Sequence, residues 1–209
     1  MGHFPCFVDL SERPCVVIGG GEVAERKVES LLAAGALVTV VSPSLSRGLT
    51  RLVSDGRIRH LARVYRRGDL AGATLAFAAT DDRAVTVAVA AEARRRRIWL
   101  NAADDPAHCD FILPSVLRRG RLTVAVSTGG ASPAVARAVR EELEAVLTEQ
   151  HATLLDVATE VRDELRAQGT SPGGDHWRRA LGHPVRRLIA EGRPADARRE
   201  IARRLRAGS

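Results

Sequence analysis

Lysine is almost missing from this chain. Lys27 stands alone among 32 basic residues, the rest of which are arginine and carry the net charge to +7 over 209 residues. GC-rich coding would favour such an Arg- and Ala-rich composition, and so would a surface built for a polyanion. Aromatic residues are only 3% of the chain, which leaves few faces for bases to stack on and argues against a single-strand binder. The positive charge is spread along the chain rather than gathered in a patch, so no nucleic-acid partner is expected. Cysteine is scarce too. Cys6, Cys15 and Cys109 are an odd number with no CxxC spacing, which argues against a disulfide framework and a zinc site. No apolar run approaches the roughly 20 residues of a membrane helix, so no membrane partner is expected. The opening MGHFPCF has neither the charged and apolar regions of a secretory signal nor a Ser or Thr at position 6 for myristoylation. A cytoplasmic protein is the expectation.

What is present is globular: 45% hydrophobic and 27% charged residues. The length is enough for one domain with an appendage or for two small ones. Strands are expected at 15–18, 37–41, 58–61, 75–80 and 98–101. Helices are expected at 22–34, stopped by Gly35, from Ser44 as cap to about Ser54, and from Asp81 to Arg97. In the first helix Val23, Lys27, Val28, Leu31 and Leu32 supply the apolar stripe. The alternation implies a parallel sheet with helical crossovers. From about residue 112 the pattern changes. FILPS (111–115) and LTVAVST (122–128) are expected to pair as a hairpin across Gly120. A helix over 133–148 follows, capped by Ser132 with Pro133 first. Residues 151–206 read as helical, with a break at 169–174. The fold class is therefore α/β: a Rossmann-like parallel sheet over 1–112, a small α+β region over 113–148 and a helical C-terminal domain over 149–209.

Gly19-Gly20-Gly21-Glu22-Val23-Ala24 satisfies G-x-G-x-x-A between strand and helix. Gly19 permits a tight turn, Gly21 lets a pyrophosphate approach the backbone, and small Ala24 lets helix pack on strand. The phosphates then meet the helix N-terminus, where free N–H groups and the dipole favour anions. The acid that often closes such a site at the end of the second strand is absent; Ser42-Pro43-Ser44 stands there instead. Ser42 and Ser44 offer hydroxyls for a ribose, while Arg47 raises the alternative of a 2′-phosphate. Spacing leaves NAD and NADP both open.

Ligands of open α/β sheets bind beyond the carboxyl ends of the strands. Thr80 and Asp81 follow one strand, as helix caps or as cofactor contacts. Asn101 ends another, followed by Asp104 and Asp105. Asp105-Pro106 is turn chemistry, which makes Asp104 the better catalytic candidate. His108 and Cys109 lie close by, yet ligands on a single loop do not close a metal site without further partners. Ser127, Thr128, Gly129, Gly130 and Ser132 form a second small-residue loop before a helix start, suited to an anionic group such as a carboxylate or simply to capping.

Taken together, FPCFVDL, VVIGGGEVAERK, AATDD, NAADDP (101–106) and VAVSTGGASPAVAR, in this order over residues 3–145, resemble the precorrin-2 dehydrogenase family, also found as the N-terminal module of siroheme synthase. The resemblance implies an NAD domain, a dimerisation region (113–148) and a helical domain in a homodimer with its active site in a cleft near the dimer interface. It implies oxidation of precorrin-2 to sirohydrochlorin with NAD⁺ and, in some members, insertion of Fe²⁺ or Co²⁺. NAD contacts would fall on Glu22, Val23, Pro43, Ser44, Thr80 and Asn101. Asp104 would be catalytic, as proton acceptor or as an orienting group. Ser-Pro-Ser is compatible with that family's NAD site. No methyltransferase segment follows, so the precorrin-2 is expected to come from another protein. A polycarboxylate tetrapyrrole also suits a basic host. The rival reading is a non-catalytic dinucleotide sensor, which would leave Asp104 and the S-T-G-G-A-S-P loop without a purpose.

Overall fold

The computed structural model describes residues 2–207 and divides into two compact units, 1–112 and 113–209. The first holds five parallel strands: β1 (Pro14–Ile18), β2 (Leu37–Val41), β3 (Arg59–Leu61), β4 (Leu75–Ala78) and β5 (Trp99–Ala102). Their order is β3-β2-β1-β4-β5. The chain thus runs outward from β1 to β3, returns to the other side of β1, and leaves a switch point between β1 and β4. Crossovers are α1 (Glu22–Ala33), α2 (Arg47–Ser54) and α3 (Arg83–Arg96). This is the expected α/β sheet with helical crossovers.

The central strands are apolar throughout because helices cover both sheet faces. Cys15 and Val17 of β1 join a core with α1 and α2, while Val16 and Ile18 join the one beneath α3. In α1 the buried positions are Ala24, Val28 and Leu31, a single face at helical spacing. Val23, expected in that stripe, is 38% exposed; the small Ala24 takes its place against the sheet. Helix α1 ends as expected through Gly35 at φ +77°, a left-handed stop that glycine adopts freely. Helix α3 ends on Arg97 at φ +58°, with Arg94–Arg97 all exposed, a solvated cationic helix end that suits the dipole.

One buried charge organises this unit. Glu92 of α3, 1% exposed, accepts from Tyr65 Oη at 2.5 Å, Gly68 N at 2.8 Å and Arg96 Nε at 2.6 Å. Burial pushes its carboxyl pKa up, and these bonds more than offset it, so the net shift is downward. Burial, with Glu92 as partner, pushes the Tyr65 phenol up. Beside it Arg63 grips Asp69 with two 2.7 Å bonds, holding that carboxyl below its usual range. The loop between β3 and β4 is thereby pinned to α3.

The second unit opens with an antiparallel hairpin, β6 (Ser115–Arg119) and β7 (Leu122–Val126). The first strand differs from the expected 111–115. It begins after Pro114, which has no N–H for a ladder, and Arg119 pairs with Leu122 across a two-residue turn at Gly120-Arg121. Helices α4 (Pro133–Val146), α5 (Glu149–Ala167), α6 (Gly174–Ala180), α7 (His183–Ala190) and α8 (Pro194–Ala207) follow. Helices α5 to α8 share a core built on Val161, Leu165, Val185, Ile201 and Leu205. By contrast α4 packs on the hairpin and buries only Ala136.

Candidate dinucleotide site and the loops beyond the sheet

The three glycines of the turn have different tasks. Gly19 has φ +120°, and a Cβ there would lie 1.9 Å from the carbonyl oxygen of Ala79. A Cβ on Gly20 would lie 1.9 Å from the Ser44 carbonyl oxygen. Two glycines therefore let neighbouring backbones close on the turn. Gly21 is extended (φ −83°, ψ −172°), and a Cβ on it meets nothing within 4 Å. Its open side is where a ligand backbone can approach. Gly21 is also the N-cap of α1 and offers no side-chain cap, so the first-turn N–H groups, with Glu22 and Val23 exposed beside them, stay available to an anion. Ala24 is fully buried.

At the end of β2 the hydroxyl of Ser42 is buried and donates to the Ser44 carbonyl at 2.7 Å, while His60 Nε2 lies 2.9 Å from the Ser42 carbonyl. Pro43 and Ser44 are the exposed members of the triplet. The cap of α2 is Ser46 rather than the expected Ser44: its Oγ accepts from Leu49 N at 3.2 Å and donates to Glu25 of α1. Ser44 is held back because its carbonyl closes on Gly20 and Ser42. The Ser46–Glu25 tie was missed in the sequence; S-R-G-L-T after a strand is a signal that could have found the cap, but not its partner 21 residues away.

Beyond β4, the cap of α3 is Asp82, one residue past the expected pair. Its Oδ1 accepts from Ala84 N at 2.8 Å and Val85 N at 3.2 Å. Thr80 Oγ1 accepts from Asp82 N at 3.3 Å, and Asp81 is exposed. The cap role is thus filled, leaving Asp81 at the open end of the strand.

Beyond β5, Asn101 Nδ2 donates to the Phe111 carbonyl at 3.0 Å and points toward Cys109 Sγ at 3.7 Å. This folds the loop back on the sheet. Cys109 Sγ accepts from Ala102 N at 3.2 Å, and burial pushes its thiol pKa up. Asp105 holds His108 Nδ1 at 2.8 Å over a short 3-10 turn, Pro106–His108. Asp104 stands between strand and turn, exposed, at φ +58°, a conformation aspartate adopts more readily than most residues. Among the described residues no group of three or more His, Cys, Asp or Glu side chains is gathered to hold a metal ion.

In the second unit, the Ser127–Ser132 loop is laced to itself. Thr128 Oγ1 bonds Ser132 N and O at 3.0 Å, Ser127 Oγ accepts from Gly129 N at 3.1 Å, and Ser132 caps α4 through Val135 N at 3.3 Å. Its hydroxyls shape the loop, and Ser127, Gly129, Gly130 and Ala131 are its exposed residues.

A switch point between β1 and β4, a glycine turn open at Gly21 and an uncapped helix start define the first unit as a dinucleotide-binding α/β domain. Two family models match the chain: one described as "Putative NAD(P)-binding" over residues 6–115, and one described as sirohaem biosynthesis protein central over residues 119–145. The chain belongs to this NAD(P)-binding family, in line with the resemblance its motifs carry. Siroheme synthase of Methylococcus capsulatus is 42% identical over 203 residues, 96% of this chain and 43% of that protein. Siroheme synthase of Methylobacillus flagellatus is 46% identical over 166 residues, 79% and 36% respectively. The chain spans less than half the length of these curated relatives. Among solved structures, one titled SirC, precorrin-2 dehydrogenase superposes with a TM-score of 0.73 over 98% of this chain and all of that one. At 24% identity this is a likeness of fold. No helix among the described residues is long and apolar enough to cross a membrane.

Proposed function

We propose that this protein oxidises precorrin-2 to sirohydrochlorin with NAD⁺. The observation that carries the reading is the pairing of an open Gly21 turn with Asp104, an exposed carboxylate beyond β5 on the same sheet edge. The siroheme synthases to which the chain is similar supply the substrate class. NAD rather than NADP is supported by the end of β2, where Ser42, Pro43 and Ser44 carry no charge and Arg47, the first cation beyond, is exposed in the first turn of α2.

In the reaction the nicotinamide supplies the hydride acceptor. The first turn of α1 would hold the pyrophosphate, Pro43 and Ser44 would offer contacts to a ribose, and Thr80, Asp81 and Asn101 would supply further cofactor contacts. The substrate's second hydrogen leaves as a proton, and Asp104 accepts it. Within the second unit, the Ser127–Ser132 loop before α4 is by itself suited to an anionic group such as a carboxylate. The same Asp104 can take pyrrole N–H protons as a metal enters the product ring, so adding Fe²⁺ or Co²⁺ to sirohydrochlorin and the protein tests metal insertion.

The functional unit is a homodimer in this reading. A fourteen-residue helix that buries only Ala136 and leaves Val135, Val139 and Val146 exposed at 52%, 38% and 65% is an apolar face suited to a second copy. Val139→Glu should yield a monomer by light scattering; an unchanged dimer would place the contact elsewhere.

Asp104→Asn tests the chemistry. It should keep NAD⁺ affinity and lower turnover about 100-fold, the scale of a lost general base. Unchanged turnover removes Asp104 from the reaction. NAD⁺ binding with no oxidation of precorrin-2 by the unmodified protein would favour a dinucleotide sensor instead.

A further inference from the structure

Strand β5 lies at one end of the sheet order, so its outer edge has no neighbouring strand. An uncovered edge leaves backbone N–H and carbonyl groups unpaired. Here the chain that follows β5 turns back and covers them. Asp110 takes the Leu100 N–H on Oδ2 at 2.9 Å, and its own N–H donates to the Leu100 carbonyl at 2.8 Å. Two residues further along the strand the partner is a sulfur. Cys109 Sγ accepts from Ala102 N at 3.2 Å, and it lies 3.2 Å from the Ala102 carbonyl oxygen and 3.4 Å from that of Asp105. The thiol has one proton to share between those two carbonyls. Burial pushes its pKa up, so that proton stays in place at neutral pH.

Those two carbonyls bracket Asp104. Ala102, Ala103, Asp104 and Asp105 form a turn closed by Asp105 N on the Ala102 carbonyl at 3.4 Å, long for a backbone bond. Asp104 holds its third position at φ +58°, where a turn favours glycine. On the sheet side, Ala103 N is held by the Ala78 carbonyl of β4 at 2.8 Å. On the outer side, the Cys109 sulfur joins the start of the turn to its end. A long closing bond and a left-handed Asp104 call for a second tie, and the sulfur supplies it.

We propose, on the reading of Asp104 as proton acceptor given above, that Cys109 is a positioning residue for that step: its thiol clamps the Ala102–Asp105 turn and so fixes where the Asp104 carboxylate stands. The thiol touches no substrate and exchanges no proton with one. A reacting group displaced by about an ångström loses a large part of its effect, and the clamp prevents that displacement.

Amide hydrogen exchange on the full chain, read by NMR without substrate, tests the clamp. In Cys109→Ala the Ala102 N–H should exchange about five- to tenfold faster, the scale of one lost hydrogen bond. The Leu100 N–H, held by Asp110 on the same edge, should keep its rate. An unchanged Ala102 rate overturns the proposal. So does a rise shared equally by Leu100, which would mean that the whole edge has loosened. The second readout is kinetic. Cys109→Ala should lower kcat with precorrin-2 about tenfold at unchanged KM and NAD⁺ affinity. Cys109→Ser, which keeps a donor and an acceptor on a shorter side chain, should recover part of the loss. Unchanged kcat in a protein whose Ala102 amide is freed, or kcat and NAD⁺ affinity falling together, also overturns it. If Cys109→Ala does not fold, Cys109→Ser reads the same two amides and the same constants. If the unmodified protein forms no sirohydrochlorin, the proposed function fails, while the exchange rates still decide whether the thiol holds the turn.

Discussion

Each of the two units of the chain is stabilised internally by its own means. In 1–112 the buried polar residues Ser42, Thr86 and Glu92 sit inside or beside the sheet, with named partners. In 113–209 the charged contacts lie at the surface: Arg203 and Arg204 flank Glu200, Arg198 and Arg206 reach Glu164, and Arg193 and Arg199 meet Asp196. A satisfied buried group fixes one geometry and is costly to disturb, whereas an exposed ion pair is worth little and is readily exchanged. Of the buried groups, Ser42 lies at the glycine turn, where its hydroxyl holds the Ser44 carbonyl that closes on Gly20. The helical unit needs only volume and pattern.

The contrast predicts a graded set of effects. Gly19→Ala should be the most severe. A Cβ 1.9 Å from the Ala79 oxygen at φ +120° forces two strands apart, at a cost of about 3 kcal/mol or more. Gly21→Ala, in open space, should leave the denaturation midpoint nearly unchanged and weaken dinucleotide binding. Equal loss of stability in both would break the distinction between packing and ligand glycines.

In the helical unit, Ile201→Ala at a fully buried position should cost about 2–4 kcal/mol through lost burial and a cavity, with dinucleotide binding intact. Loss of that binding would show that the units are not independent.

Glu92→Gln should cost about 2 kcal/mol by weakening three bonds to one buried group, read by urea denaturation. The pH sign follows from its direction. The folded carboxyl titrates below its unfolded value, so the stabilisation is present at neutral pH and fades as pH falls from the ordinary carboxylate range through the lowered folded value. Asp69, lowered by Arg63, acts in the same sense. Stability of the first unit that held steady on acidification would contradict the network.

Glu200→Gln should have the smallest effect. Arg203 and Arg204 push the Glu200 carboxyl down to about 2, yet the pair sits near solvent, so the loss should stay below about 1 kcal/mol. Salt should shrink it further.

Much of this contrast is legible in the chain. Continuous apolar runs mark β1 and β4 because both sheet faces are covered. G-G-G-E-V-A marks the turn because backbone approach demands glycine. What escapes is long-range. Nothing around Tyr65 or Gly68 announces a carboxylate 24 to 27 residues ahead. Choosing Ser46 over Ser44, or Asp82 over Thr80 and Asp81, depends on which carbonyl closes against which glycine. The start of β6 is set by Pro114, which has no N–H for the ladder. Which glycine of the turn serves packing and which stays open to a ligand likewise emerges only when β2 and β4 are in place.

Anaerobic incubation of the protein with precorrin-2 and NAD⁺, following sirohydrochlorin and NADH absorbance together, tests whether this sheet edge supports the proposed precorrin-2 dehydrogenation. Equimolar appearance of the two, with NADP⁺ much the poorer acceptor, is the predicted result. Dinucleotide binding with no sirohydrochlorin formed would contradict it.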